Sequence, residues 1–267
     1  MLDKFAISQI IRTEAFRIGF DEIGFSAAIE LTEDKKRLQE WLINGFNADM
    51  AFMEKNFEKR VNPLLLVEGS RSVITVLKNY YPTDSKLSTK YPKIARFAYG
   101  NDYHVVMKNK MWQLFSFIKS ELYHGLKGRC FVDSAPLLER ALGVKAGLGW
   151  IGKNGMLINK KLGSYFFIGE LVVNLELPYN KTEIKNYCGT CNRCIENCPL
   201  NAINQNKTID ANRCVSYHTI ENKGIIPETI KNNLNGWTFG CDICQEVCPW
   251  NRKATPTNEP EFQPTEK

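Results

Sequence analysis

The segment CGTCNRCIENCP, Cys188 to Pro199, constrains this chain more than any other dozen residues. Its four cysteines stand at intervals of two, two and three residues and close on a proline, the spacing of a run that ligates iron–sulfur clusters. Such spacing lets one short loop turn three thiolates toward one point, while the fourth cysteine serves the other cluster of a two-cluster module. A second run, CDICQEVCP, carries Cys241, Cys244 and Cys248 at the last three positions of the same pattern. Its first position falls on Thr238, and Cys214 is the unassigned cysteine nearby, so Cys214 is inferred to substitute. The expected ligand sets are Cys188, Cys191, Cys194 and Cys248 on one 4Fe-4S cluster, and Cys198, Cys214, Cys241 and Cys244 on the other. Structural zinc also takes CxxC pairs, but zinc knuckles need only two pairs and rarely end twice in a three-residue gap before Cys-Pro. Two clusters form a relay for single electrons, and 267 residues is far more than a bare carrier needs. The destination of the electrons is expected in the first 180 residues.

Eight of the nine cysteines lie between 188 and 248, and the N-terminus, MLDKFAISQIIRTEAFRIGF, mixes charge with helical spacing, unlike a secretory signal. Metal ligation in a reducing cytoplasm therefore fits better than a disulfide scaffold. No apolar run approaches the roughly 18 residues of a spanning helix, so no membrane is expected. With 43% hydrophobic and 24% charged residues the composition is that of a globular protein. The net charge of +6, from 35 Lys plus Arg against 29 Asp plus Glu, permits a polyanionic partner without demanding one.

Strands and helices alternate as far as about residue 177. Ile7, Ile10, Ile11, Ala15 and Ile18 mark an amphipathic helix over 3–18, stopped by Gly19. EIGFSAAI reads as a buried strand, EDKKRLQEWLING as a helix ending at Gly45, and SVITVLKNYY (72–81) as a strand stopped by Pro82. Met107, Met111, Leu114, Ile118 and Leu122 then share one face of a long helix. Cys130 to Val132 reads as a strand with Asp133 at its end, and Pro136 suits the first turn of the next helix. GMLINKKLGSYFFIGELVVNLEL gives two strands joined around Lys160 to Gly163, and PYNKTEIKN a linker. The tail from Arg252 is polar and proline-rich and reads as disordered or unfinished.

Several features compete for a chemical role. GLGWIG (147–152) matches GxGxxG, but it follows a helix and leads into strands, the reverse of a nucleotide fingerprint. Its glycines mark either a tight turn or a backbone that approaches a flat ligand closely. Asp133 either caps the next helix, a task Ser134 can share, or serves as a general acid whose pKa apolar neighbours raise. Tyr103 and His104, in NDYHVVMK, stand in a polar loop before the long helix, and His124 and His218 are unremarkable by themselves. Cys130, inside an apolar strand, reads as a small hydrophobe.

Taken together, YGNDYH, DSAPLLERALGVKAGLGWIGKNGMLIN, GSYFFIGEL, the full cysteine run and GCDICQEVCPWN resemble the epoxyqueuosine reductase family over roughly residues 45 to 251. The resemblance implies an oxidoreductase that removes the epoxide oxygen of epoxyqueuosine at the wobble position of tRNA, the last step in making queuosine. It implies two 4Fe-4S clusters that pass electrons from an external donor to cobalamin, and Asp133 as the proton donor. A D-x-H-x-x-G motif is incomplete here, since Met107 stands where glycine belongs, consistent with a corrinoid held base-off without a protein histidine on cobalt. The expected corrinoid contacts are Phe57, Phe97, Asp133, Ile158, Ile168 and Val215, with Lys153, Asn154 and Ser164 reaching its amides. Tyr103, His104 and Lys223 are candidate substrate contacts. Arg193, Lys207, Arg213 and Lys223 either form one basic patch for an anticodon stem-loop or are scattered solvated charge.

The expected fold class is α+β: an α/β corrinoid-binding and catalytic domain over 1–177, a ferredoxin-like two-cluster module over 178–251 and a polar tail over 252–267. Members of the family carry a further C-terminal segment, so the tail reads as that of a short or truncated member. Two other readings compete: a dehalogenase-like corrinoid reductase of a small molecule, and an electron-transfer subunit that is not an enzyme.

Overall fold

The strand SVITVLKN organises the molecule because every residue in it is buried. The computed structural model describes residues 3–83, 92–179 and 185–264, so only the ends of the expected linker lie among the described residues. Helix α1 (Lys4–Ile18) opens the chain, its first turn capped by Asp3, whose carboxylate accepts from the Ala6 amide at 2.7 Å. It buries Ile11, Ala15 and Ile18 and stops at Gly19, whose φ of +103° provides the left-handed cap. Strand β1 (Glu22–Ala27), helix α2 (Thr32–Ile43) and the short α3 (Phe57–Val61) precede β2 (Ser72–Asn79). After β3 (Lys93–Ile94) comes α4 (Tyr103–Phe117), which continues as a π-type turn over Ile118–Leu122, so the apolar face does run on to Leu122. Then follow β4 (Gly128–Phe131), α5 (Glu139–Lys145), β5 (Trp150–Ile151), β6 (Leu157–Ile158) and β7 (Phe166–Val173).

The main sheet has the order β1-β2-β7-β4, and every neighbouring pair is antiparallel. This corrects the α/β expectation for the first part: alternation along the chain fixes where strands fall, not which way they run, and no parallel crossover is made in this sheet. Helices α1 and α4 cover one face through Ile11, Met107, Met111, Leu114 and Leu171. Gly169 makes that approach possible, since a Cβ there would lie 2.4 Å from the Met111 sulfur. Helix α5 covers the other face through Leu142, Val73, Val172 and Phe131.

The cysteine-rich part has little core of its own. Short helices α6 (Arg193–Glu196), α7 (Val215–Ile220), α8 (Glu228–Lys231) and α9 (Ile243–Glu246) surround the thiols, with α6 against α9. Strand β8 (Trp237–Phe239) pairs in parallel with β3, stitching this part to the first. Trp41 Nε1 donates to the Ile209 carbonyl at 2.7 Å, and Arg96 bridges to Asp242 at 3.1 Å and Glu246 at 2.7 Å. Among the described residues no helix is long and apolar enough to cross a membrane.

The tail overturns its sequence reading. Residues 252–264 fold back across the first part: Thr257 Oγ1 donates to the Asn79 carbonyl at 2.7 Å, and its amide to the Tyr81 carbonyl at 2.7 Å. Glu259, nearly buried, takes Lys110 at 2.8 Å beside Lys78, and Phe262 is 2% exposed with its ring edge-on to Phe167 at 4.9 Å. Phe262→Ala should therefore cost about 3 kcal/mol or more, seen as a fall of roughly 5–10 °C in the melting midpoint of the full chain.

Candidate active site

Strand β4 delivers Asp133 to the rim of the sheet by a route that the sequence conceals. Val132 is fully buried, and immediately beyond it Asp133 takes φ +53°, a left-handed conformation rare outside glycine. Two tight turns follow, in which Ser134 donates to the Val132 carbonyl and Leu137 to that of Ala135. Helix α5 begins only at Glu139, with Leu138 at its N-cap and no capping side chain. Pro136 thus precedes the helix rather than lying in its first turn, and Asp133 caps nothing. Its amide instead donates to Glu139 Oε1 at 2.6 Å.

The Asp133 carboxyl has two neighbours from the start of α4. Tyr103 Oη donates to Asp133 Oδ2 at 2.8 Å, and His104 Nε2 stands 3.5 Å from the same oxygen. Asp102 caps α4 by accepting from the His104 amide at 2.9 Å and also takes His104 Nδ1 at 2.8 Å. That second contact turns the imidazole so that Nε2 faces Asp133. In return His104 holds the exposed Asp102 carboxyl below its ordinary range. The Tyr103 ring lies between His104, at 4.0 Å, and Phe167, at 4.2 Å and within 3° of parallel. Burial, then the Asp133 charge, push the Tyr103 phenol well above its usual range, so at neutral pH it remains a donor. The expected apolar walls around Asp133 are not supplied by the chain, since its side chain is 62% exposed.

The glycine-rich turn answers to the protein's own backbone. Helix α5 ends before Gly147 at φ +78°, and a Cβ on Gly149 would sit 2.1 Å from the Ile158 carbonyl oxygen. The close approach that Gly149 permits is to β6. Several expected corrinoid contacts are committed elsewhere. Ile158 is buried beside Trp150 and Cys248, and Val215 beside Ala95 and Trp237. Ser164 is buried, donating to Gln245 Oε1 at 2.9 Å and accepting from Asn251 Nδ2 at 2.9 Å. Asn154 is buried and reaches the Cys244 carbonyl at 3.3 Å, while Lys153 Nζ donates to Asn192 Oδ1 at 2.7 Å. Phe57 is half-buried in α3 and Ile168 half-buried on β7. Phe97 alone of the group stands in ring contact with the Asp133 neighbours, edge-on to Tyr103 at 6.4 Å and tilted against Phe239 at 5.9 Å.

The thiols fall into two groups of neighbours. Burial, with Cys188 and Cys248 alongside, pushes the Cys194 thiol up to about 11, and Cys248 is raised by burial beside Cys188 and Cys191. Burial and then Cys214 and Cys198 push Cys241 up to about 12, and Cys244, enclosed against Cys241 and Cys214, lies well above its ordinary range. Cys244 also feels Cys194, so the two groups adjoin. Thr238 is exposed in β8 with its hydroxyl on the Lys93 carbonyl at 3.1 Å, turned to the β3 edge. Among the described residues no three such groups converge closely enough for one ion.

Other sequence candidates are placed away from this chemistry. Cys130 packs against the main core, its thiol pushed up to about 12 by burial. His124 Nδ1 contacts the Lys119 carbonyl, His218 is buried with Nε2 on the Asn212 carbonyl, and Lys223 is exposed beyond α7. Sequence reasoning missed Glu139, Glu170 and Phe167. Glu170 had a signal: one carboxylate inside FFIGELVV, a strand otherwise free of charge. Cys214→Ser is expected to lower iron after anaerobic reconstitution from about eight to about four atoms per chain, by metal analysis, with Thr238→Ser unchanged.

Two family models match the chain: one described as a 4Fe-4S double cluster binding domain, over residues 187–251, and one described as epoxyqueuosine reductase QueG, DUF1730, over residues 60–134. An epoxyqueuosine reductase of Cyclobacterium marinum is 46% identical over 258 residues, which cover 96% of this chain and 83% of that protein. A crystal structure of epoxyqueuosine reductase with a tRNA-Tyr epoxyqueuosine-modified stem loop superposes with a TM-score of 0.89 at 31% identity, over 97% of this chain and 70% of that one. A Bacillus subtilis epoxyqueuosine reductase with its catalytic aspartate loop swung out of the active site gives 0.89 at 29% identity, over 97% and 69%. A reductive dehalogenase structure, described as suggesting a mechanism for B12-dependent dehalogenation, shares the fold at 15% identity and a TM-score of 0.58, over 95% of this chain and 33% of that one. With nearly half its residues identical along most of the length of that Cyclobacterium protein, this chain belongs to the epoxyqueuosine reductase family.

Proposed function

We propose that this chain reduces epoxyqueuosine in tRNA to queuosine, with Asp133 as the proton donor. The observation that carries the reading is the placement of Asp133. A solvent-facing carboxyl is held by Tyr103 and His104 beside a row of rings, Tyr103, Phe97 and Phe239, of which Phe97 packs against the same apolar cluster as Cys241. A relative's structure whose catalytic loop is named for its aspartate supports the same assignment. Removing an epoxide oxygen as water consumes two electrons and two protons, so a proton source must stand beside an electron route.

The residues present fit the groups that the family implies. Cys188, Cys191, Cys194 and Cys248 would hold one 4Fe-4S cluster, and Cys198, Cys214, Cys241 and Cys244 the other. Buried thiols without a cation among them give up their protons readily only to a metal. Phe97, Phe239 at 39% exposure and Ile94 at 37% make an open apolar shelf beside Tyr103, which suits the flat face of a corrin. When bound there, cobalamin would supply the electrons that reach the substrate carbon. The chain's own part is to carry electrons from an external donor to the shelf and a proton to the epoxide oxygen. Tyr103 holds the Asp133 carboxyl toward the shelf, and a shelf covered by cofactor and substrate would exclude the water that now reaches Asp133.

For the nucleic acid, Arg193, Arg213 and Lys223 are exposed on the cysteine-rich part and Lys207 is half-buried there. These cations would take phosphates of an anticodon stem-loop. Lys223→Ala is expected to weaken stem-loop binding and to lower the slope of log affinity against log salt by roughly one.

Anaerobic reconstitution should give about eight irons per chain, together with retained cobalt. Asp133→Asn should keep these metals and lose turnover of epoxyqueuosine tRNA by about 100-fold or more. Undiminished turnover would overturn the role of Asp133. Clusters without retained cobalt would point instead to an electron carrier.

A further inference from the structure

We infer that Glu139 is a positioning residue for Asp133: its carboxyl, seated on the buried Glu170, grips the Asp133 amide and fixes the turn that aims the aspartate. The inference rests on the proposed donor role of Asp133, but the grip itself is a property of the turn.

The left-handed backbone at Asp133 needs something to hold it, because an L-residue with a side chain pays a steric penalty there. Tyr103 acts on the carboxyl, not on the backbone. The backbone contact is the 2.6 Å hydrogen bond from the Asp133 amide to Glu139 Oε1. Glu139 is placed for this by the first turn of α5, a helix that no side chain caps. As a residue it is half-exposed, yet its carboxyl end is enclosed between the turn and the sheet.

Beneath it lies Glu170, fully buried on β7, opposite Thr75 on one side and Phe131 on the other. Neither Glu170 oxygen has a hydrogen-bond donor, and the Thr75 hydroxyl is likewise without a partner. Two ionised carboxyls in that space would be a pair of acceptors that repel. A single proton between them makes a donor and an acceptor, and leaves the other Glu139 oxygen for the Asp133 amide. Burial, the first cause for both, raises Glu139 and Glu170 alike. The charged groups that face the pair are Asp133 from the turn and Arg140 from α5. β2 and β4 offer only Thr75 and Phe131. A carboxylate is costly inside a strand of this kind, and here its position coincides with the underside of the turn that carries Asp133.

Hydrogen exchange on the reconstituted full chain tests the grip directly. Glu139→Ala should speed exchange of the Asp133 amide by about tenfold or more in peptides covering 132–135. Peptides over the α5 core from Leu142 onward should not change. In the same variant kcat should fall by about 10- to 100-fold with KM little altered. Glu139→Gln keeps an amide oxygen that accepts from the Asp133 N–H, and should restore both readouts to within a few-fold. Unchanged exchange at 132–135, faster exchange spread through α5, or a Gln variant as damaged as Ala would each overturn the inference. If Glu139→Ala strands Glu170 and the chain does not fold, Glu139→Ala with Glu170→Leu removes both carboxyls, and the same exchange readout decides. Turnover that survives Asp133→Asn would defeat the donor role alone, and the exchange result would still judge the grip.

Discussion

A thiol enclosed among other thiols resists giving up its proton, and the C-terminal third of this chain is arranged around that difficulty. Cys194, Cys241, Cys244 and Cys248 are all raised by burial, with further thiols as their next neighbours. Three helices of six residues or fewer, α6, α7 and α9, carry or adjoin cysteines of the two runs and Cys214. Helices this short do not hold themselves in water, so their geometry is borrowed. Metal ligation provides part of the constraint, and the antiparallel sheet of the first part provides the rest.

The borrowing is concrete. Asp242, between Cys241 and Cys244, accepts from the Arg96 amide at 2.8 Å and pairs with its guanidinium, which also stands over the rings of Tyr81 and Tyr165. Asn251 closes the second run by bonding to Ser164 and to the Gln245 carbonyl. Each contact replaces an internal core that sixty-odd cysteine-rich residues are too few to build. Ser164 and Asn154 belong to the same fastening, since both tie the cysteine-bearing loops to the first part of the chain.

Local features were legible in the sequence, and long-range ones were not. The cysteine runs declare themselves because iron–sulfur ligation imposes spacing within a single loop. Helices α1 and α4 and strand β2 follow from apolar periodicity. Strand direction did not follow, because β4 and β7 are paired by contacts across some forty residues. Pro136 suggested a helix start, but the chain spends 132–137 on two tight turns closed by their own backbone hydrogen bonds, with the Asp133 amide on Glu139. The tail looked coreless because Thr257, Glu259 and Phe262 are sparse along it, and their partners Asn79, Lys110 and Phe167 lie far back in sequence. Asp133 itself stood out, but what aims it did not.

The rings of Phe262, Phe167 and Tyr103 lie in contact one after another, and Tyr103 ends on the Asp133 carboxyl. Phe262 meets Phe167 edge-on and Phe167 lies flat against Tyr103, so each ring limits the tilt of the next. The last described turn of the chain is therefore in mechanical series with the aspartate. A stretch that reads as coreless thus supplies one wall of the packing that seats the Tyr103 hydroxyl on the Asp133 carboxyl.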